Sequence, residues 1–304
     1  MPGGVSRRVP VDVLLLIVVA IWSVNFSINR YAVTHGFDPI AFAALRYVIA
    51  GLIFAAITLR MGESLRPRRE DWFVLGVFAI LGTMVNQTSF FYAIQLAEAS
   101  TVALAFGALP AFVGLVAIAQ RQEHPTRRHW LSTVISFGGV ALVAVGGGTA
   151  LSGNLGGVLL AVLAVATYAV YTISLSRLNT TYSPYRLSAM ISLGVSIPMT
   201  IAGAHGFATM DWPAISGITW AALAYSTVIG FVVSNILWIS ALRSSGPNRA
   251  SLYVNLQVFG GALVGVLLLD EHLTWLQLAG GVVIAVGIVL SAKRLRLPRV
   301  ALRD

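Results

Sequence analysis

Ten stretches of mostly apolar residues follow one another along this chain with little between them: 12–33, 39–60, 71–96, 99–120, 127–147, 154–177, 184–205, 214–242, 248–269 and 274–294. A helix needs about 20 such residues to cross a hydrocarbon core ~30 Å thick. Inside lipid every backbone N–H and C=O must be satisfied by the protein itself, so only helices and closed barrels can span. The length and continuity of these stretches predict helices. The expected fold is therefore an all-α membrane protein of ten transmembrane helices. The connections are short, tightest at Ala97-Glu98 and from Asp270 to Leu273, and none has room for a soluble domain.

Charge agrees with that reading. Only 10% of the residues are charged, against about 25% in a typical soluble domain. A net charge of +9 would suggest nucleic acid in a soluble protein, but its placement argues otherwise. With both termini and the even-numbered connections on one side, that side holds 18 of the 20 basic residues, from Arg7 and Arg8 through Arg66, Arg127, Arg186 and Arg249 to Arg303. The remaining two are Arg30, near the other side, and Arg46, inside a span. Basic residues mark cytoplasmic loops, so both termini, 1–11 and 295–304, are expected in the cytoplasm of a bacterial cell, the chain crossing the inner membrane many times. Val13 to Val24 could pass for the core of a signal peptide. It runs on through Tyr31 and Val33 without a small-residue cleavage site, so it reads as a retained first helix. There is no cysteine, which removes disulfides, thiolate ligands and cysteine nucleophiles.

The tetrapeptide Glu123-His124-Pro125-Thr126 returns as Glu271-His272-Leu273-Thr274, again between two apolar stretches. Other matches keep the same order. Trp22-Ser23-Val24-Asn25 precedes Pro39 by 17 residues, and Tyr168-Ala169-Val170-Tyr171 precedes Pro184 by 16. Ala103, Phe106, Pro110 and Phe112 align with Ala250, Tyr253, Gln257 and Phe259, and Gly138 with Gly287. Five spans separate the copies, and an odd number turns the second copy upside down. The expected organisation is two inverted five-helix repeats, 12–149 and 150–294, an arrangement that lets a central site open to either side in turn.

Several of these residues also carry a resemblance. They are Trp22-Ser23-Val24-Asn25-Phe26, Pro39 with Ala44-Leu45-Arg46-Tyr47, Asn86 with Tyr92-Ala93, and Leu109-Pro110 before Glu123. In the second half they are Ala250-Ser251-Leu252, Leu269-Asp270-Glu271-His272-Leu273-Thr274, Gly280-Gly281 and Gly287. Over nearly all of 12–294 the chain resembles the EamA-type family of the drug/metabolite transporter superfamily. The resemblance implies two five-helix halves around a cavity lined by helices 1, 3, 4, 6, 8 and 9, with 5 and 10 peripheral. It implies export of small metabolites, amino acids foremost, including aromatic and other neutral ones. The chain departs from the family at Gln257, where proline is usual, which leaves open whether the ninth helix bends like the fourth.

Polar groups inside spans are costly and tend to face a cavity or a neighbouring helix. Trp22, Asn25, Phe26 and Asn29 share one face of the first helix. The third contributes Asn86, Gln87 and Phe90, the sixth Tyr168 and Tyr171, the eighth Asn235 and Trp238, the ninth Tyr253, Asn255 and Gln257. Uncharged donors and acceptors among aromatic rings suit a small-molecule site; hydrogen bonding between helices is the plainer use of the same groups. Arg46 could hold a substrate carboxylate through paired hydrogen bonds. Its alternatives are snorkelling or pairing with Glu98, and the resemblance implies a fold-maintaining role. Pro110, mid-span, is a candidate hinge, and Pro198 a second bend. In each tetrapeptide the threonine is expected to cap the next helix. The glycines at 138–139, 146–148, 280–281 and 287 suggest close helix packing.

What is missing also narrows the function. No Asp or Glu lies inside a span, so the usual carboxylate relay of a proton pump is absent, and there is no nucleotide-binding loop. All five histidines fall at loops or span ends, leaving no general base at membrane depth. An enzyme is not expected, nor a cofactor or metal. The expected partners are a small-molecule substrate and the lipid bilayer, not nucleic acid, and one chain suffices to build the cavity. The reading is a carrier of small metabolites working by alternating access. A multidrug or nucleotide-sugar carrier is the alternative, although anionic nucleotide sugars would call for more buried cations than Arg46.

Overall fold

Several helix starts in this chain are set by side chains that accept hydrogen bonds from otherwise orphaned backbone N–H groups. Asp38 accepts from Ile40 and Ala41 at 2.9 Å each, with Pro39 in the first helical turn. Ser183 accepts from Arg186 at 3.2 Å ahead of a helix that opens with Pro184, and Ser216 from Thr219 at 3.3 Å. Proline suits the first turn because its absent N–H would have had no partner there. Thr274 forms a reciprocal cap with Gln277: the threonine hydroxyl accepts from the Gln277 N–H at 3.3 Å, and the Gln277 side chain accepts from the Thr274 N–H at 2.7 Å. The expected threonine cap is present at Thr274, whereas Thr126 lies outside the described residues.

The computed structural model describes residues 10–119, 127–146, 151–245 and 247–292. The helices are α1 (Val11–Thr34), α2 (Pro39–Arg60), α3 (Gly82–Leu96), α4 (Ala99–Ala105), α5 (Leu109–Ala119), α6 (Arg127–Gly146) and α7 (Leu151–Leu178). They continue as α8 (Pro184–Ala202), α9 (Ala204–Thr209), α10 (Gly217–Thr227), α11 (Ser234–Ser245), α12 (Pro247–Leu269) and α13 (Trp275–Ala292). Among the described residues seven helical segments are long and apolar enough to span a membrane. In α6, α12 and α13 the apolar described stretches are shorter, Thr133–Val143, Leu256–Leu269 and Trp275–Gly287. The protein is thus an all-α, multi-pass membrane protein. Its outward faces carry large aliphatic side chains such as Leu52, Ile197, Ile201 and Val282, a surface that lipid stabilises and water would not.

Among the described residues three spans are irregular. The one ending in α3 begins with a π-helical stretch, Val74–Leu81, and a second π-helical stretch, Val228–Val233, joins α10 to α11. Between α4 and α5 the chain tightens into a 3-10 turn, Phe106–Ala108. That turn starts at residue 106, whose carbonyl would have accepted from position 110, where proline has no N–H to donate. By contrast α12 runs unbroken through Gln257, so the residue that departs from the family pattern sits in a continuous helix. Pro198 is likewise carried inside α8 without a break.

The helices pack as α2 on α8, α6 on α13, α3 on α7 and α1 on α12, with α4 also against α12. Between α6 and α13 backbone comes close to backbone. A Cβ added to Gly139 would lie 2.8 Å from the Gly280 carbonyl oxygen, and one added to Gly280 would lie 2.7 Å from that of Gly139. Gly146 is equally close to the Thr274–Gln277 cap. Of the glycines expected at helix contacts, Gly138 instead faces open space, and Gly147 and Gly148 lie outside the described residues.

Candidate functional site

One face of α1 sets the site. Trp22, Asn25, Phe26 and Asn29 recur every three or four residues and line a cavity of about 160 Å³. At ~10–15 Å³ of such space per water, that is room for a small solute. The opposite walls come from Arg46 and Tyr47 of α2, and from Thr83, Asn86, Gln87 and Phe90 of α3. Phe106 and Leu109 enter at the 3-10 break, Tyr168 and Tyr171 from α7, and Gly230 and Phe231 from the second π-helical stretch. Ser234, Asn235 and Trp238 of α11 and Gln257 of α12 complete the lining.

Of the candidate residues, Trp22, Asn25, Phe26, Arg46, Asn86, Gln87, Phe90, Tyr168, Tyr171, Asn235, Trp238 and Gln257 line this one cavity. Tyr253 is the exception. Its hydroxyl donates to Asp12 at 2.6 Å near the start of α1, and its ring packs on the apolar cluster around Leu15, Val18 and Trp238. The Pro110 and Asn255 side chains lie outside the described ones. Of the lining residues not singled out as binding groups, Asn29, Thr83 and Ser234 were within reach of helical spacing. Gly230 and Phe231 were not, because a π turn shifts the register on which such counting depends.

Rings and polar groups divide the lining. Trp22 and Trp238 sit 5.3 Å apart between centroids, and the Trp22 indole N–H donates to Ser234 at 2.9 Å. Phe26, Phe90 and Phe106 form a mutual cluster with centroids 5.6–5.9 Å apart. Asn86 donates to the Ala164 carbonyl at 2.6 Å, Gln87 to Asn86 at 2.7 Å, and Asn235 to Ser188 at 2.8 Å. Three buried polar atoms on residues that line the cavity have no hydrogen-bond partner among the described residues: the Asn25 carboxamide oxygen, the Thr83 hydroxyl and the Arg46 Nε. Gly230 matters here because a Cβ at that position would fall 2.4 Å from the Asn25 oxygen.

Arg46 neither snorkels nor pairs with Glu98. It is 5% exposed, and its guanidinium lies 5.3–5.9 Å from the centroids of Phe42, Phe91 and Phe231. Among the described residues its one hydrogen bond runs to the Ser226 carbonyl at 3.3 Å, and no carboxylate lies within ion-pair distance. Burying an ion costs several kcal/mol even after relaxation. Stacking on rings returns only about 0.5–2 kcal/mol, so this charge is incompletely compensated.

A cluster of charged groups sits instead where α3 turns into α4. Glu98 occupies the cap position of α4 but makes no cap bond. Glu271, from the α12–α13 connection, supplies that function across the fold, accepting from Ala99 at 2.8 Å and Ser100 at 2.9 Å. Asp270 enters this turn with φ at 52°, a backbone state that aspartate tolerates better than most residues. Arg30 of α1 pairs with Glu271 at 3.3 Å and also donates to the carbonyls of Ile94 and Ala97. The glutamate of the second tetrapeptide thereby ties α1, α3 and α4 to the α12–α13 corner. The first tetrapeptide, 123–126, lies outside the described residues.

Burial, and next the Glu271 carboxylate, hold the Glu98 carboxyl above its usual range. A raised acid pKa favours the protonated form in the fold. Stability from this group is therefore fully present below the unfolded value, ~4.3, and lost as pH rises through the folded value. Glu98→Gln should accordingly melt higher than the unaltered protein at neutral pH, with the gap closing toward pH ~4. Melting curves across that range check this, and a gap that ignores pH contradicts it. Among the described residues no three His, Asp or Glu side chains gather as a metal site would need.

A family model, that of the EamA-like transporter family, matches the chain twice, at residues 9–145 and 155–293. Among curated relatives, an uncharacterized transporter of Archaeoglobus fulgidus is 24% identical over 285 residues, covering 92% of this chain and 96% of the relative. The uncharacterized inner membrane transporter YedA of Escherichia coli K12 is 25% identical over 297 residues, 95% of this chain and 93% of YedA. A probable terminal-alkyne amino-acid exporter of Streptantibioticus cattleyicolor is 25% identical over 283 residues, 92% of each. One solved crystal structure superposes with a TM-score of 0.66, covering 96% of this chain and 100% of its own at 19% identity, a likeness of fold.

Proposed function

The chain belongs to the EamA-like transporter family of the drug/metabolite transporter superfamily, a membrane transporter of small molecules and not an enzyme, and from that premise we propose that it exports amino acids, aromatic or other neutral ones foremost, by alternating access. The cavity at the meeting of α1, α3, α7, α11 and α12 carries this reading. Its uncharged amides and hydroxyls suit a neutral solute, and its rings offer an apolar wall for a side chain. A relative described as a probable amino-acid exporter supports the same class. A nucleotide-sugar carrier would require more cations in the lining than Arg46.

Alternating access in this proposal rests on ten spans in two inverted five-helix repeats, with both termini in the cytoplasm and the protein in the bacterial inner membrane. Support comes from the family model matching twice and from packing related in pairs. If 12–149 and 150–294 are equivalent, then α2 on α8, α6 on α13 and α4 on α12 each join a helix to its counterpart. The α3–α7 contact is answered by α1 against α10 and α11, and α1–α12 by α7 against α4 and α5. The two π-helical stretches also fall in equivalent spans. The 3-10 turn before Pro110, unmatched in α12, is the hinge we assign.

Counterflow of neutral amino acids in proteoliposomes tests the function. Trp238→Ala removes half of the ring pair and Asn25→Ala removes an unpaired acceptor. Each should lower flux by on the order of tenfold, the equivalent of ~1.4 kcal/mol, in protein that still elutes as the folded species; Trp238→Ala melts lower, because it empties a buried ring site. Flux unchanged in both variants removes the cavity from the transport path.

A further inference from the structure

Arg46 carries a full charge into the middle of the bundle and meets no opposite charge there among the described residues. Among the described residues its Nε has no partner, its bond to the Ser226 carbonyl is long, and its neighbours include three phenylalanine rings. The carboxamide oxygen of Asn29, another lining residue, accepts from the Ser226 hydroxyl at 2.5 Å. Thr83, also lining the cavity, holds a second donor with no acceptor. Two buried donors, one of them cationic, and one buried acceptor, all unpaired among the described residues, thus belong to residues that line the same cavity. A purely neutral solute would leave the guanidinium uncompensated.

We infer that Arg46 and Thr83 form a carboxylate subsite, so that the cavity selects ligands bearing a carboxylate and discriminates against the matching amides. Asn25 takes a donor at the ligand's other pole, which makes an α-amino acid in its zwitterionic form the ligand that satisfies all three atoms. This rests on the cavity being the transport site and adds what that reading lacks, the group recognised. The arginine fork can give a carboxylate two parallel charge-assisted bonds. Because the pair is desolvated, added salt screens it little.

The test uses the full chain in detergent and in proteoliposomes, with phenylacetate and L-phenylalanine set against phenylacetamide and L-phenylalaninamide. Quenching of the cavity tryptophans and thermal shift report binding, and counterflow reports transport. The two acids should bind the unaltered protein on the order of a hundredfold more tightly than their amides. Arg46→Gln should abolish that preference, and Arg46→Lys should retain part of it. Equal binding of acids and amides by the unaltered protein overturns the inference whatever the variants do, and so does an Arg46→Gln protein that still prefers acids. Acid-selective binding without amino-acid counterflow would uphold the subsite and count against the proposed function instead.

Discussion

Gly280→Ala is expected to separate α6 from α13 and to lower the melting temperature sharply. The new methyl carbon would lie 2.7 Å from the Gly139 carbonyl oxygen and 2.9 Å from the Val143 nitrogen. Both obstacles are backbone, so no rotamer change makes room and the helices must move apart. Overpacking of this kind costs about 1–3 kcal/mol, and contact with main chain places the effect at the upper end. Gly139→Ala meets the reciprocal obstacles at Gly280 and Ile284 and should behave alike. Gly138→Ala is the control, because its methyl group would face open space, and alanine is favoured over glycine in a helix by ~1 kcal/mol. Thermal unfolding of the three purified variants decides the matter. If Gly280→Ala melts with the unaltered protein, the close approach of α6 and α13 does not exist as described.

Loss of the Glu271 carboxylate should be comparably severe. Glu271→Ala would strip the first two N–H groups of α4 of their acceptors and leave Arg30 without its ion-pair partner. Ala99 and Ser100 are fully buried, so water cannot replace the lost bonds. Removing one partner from a fully buried pair costs about 3–5 kcal/mol; Arg30 is partly exposed and keeps the Ile94 and Ala97 carbonyls, so the loss falls at or below the lower end of that range. Glu271→Gln keeps an acceptor oxygen but not the charge, and should fall between the two. Pairing it with Arg30→Gln should recover part of the loss, since the double variant no longer contains an unmatched cation. Chemical or thermal unfolding of the four proteins measures the coupling. Additive losses would show that Arg30 and Glu271 do not act as a unit.

These effects mark where sequence reasoning reached and where it stopped. The apolar stretches, the proline-led starts of α2 and α8, and the Thr274 cap follow from local rules, because span length and capping depend on residues a few positions apart. The α1 face of Trp22, Asn25, Phe26 and Asn29 was legible for the same reason. Tyr253 shows the limit: its spacing fits a cavity residue, yet its hydroxyl reaches Asp12, 241 positions away in sequence. Glu271 is similar, read as part of a turn but acting as the cap of a helix begun 172 positions earlier.

By itself the sequence determined that this is a helical membrane protein of the transporter class, since apolar length, scarce charge and ordered motifs are properties of the string. Only the tertiary structure decided that Arg46 lies among rings without a counter-charge, that Glu271 serves α4, and that glycines let α6 and α13 meet at backbone contact. Each depends on which distant groups come within a few ångströms of one another. Such proximity is set by the packing of whole helices, and no local pattern along the chain encodes it.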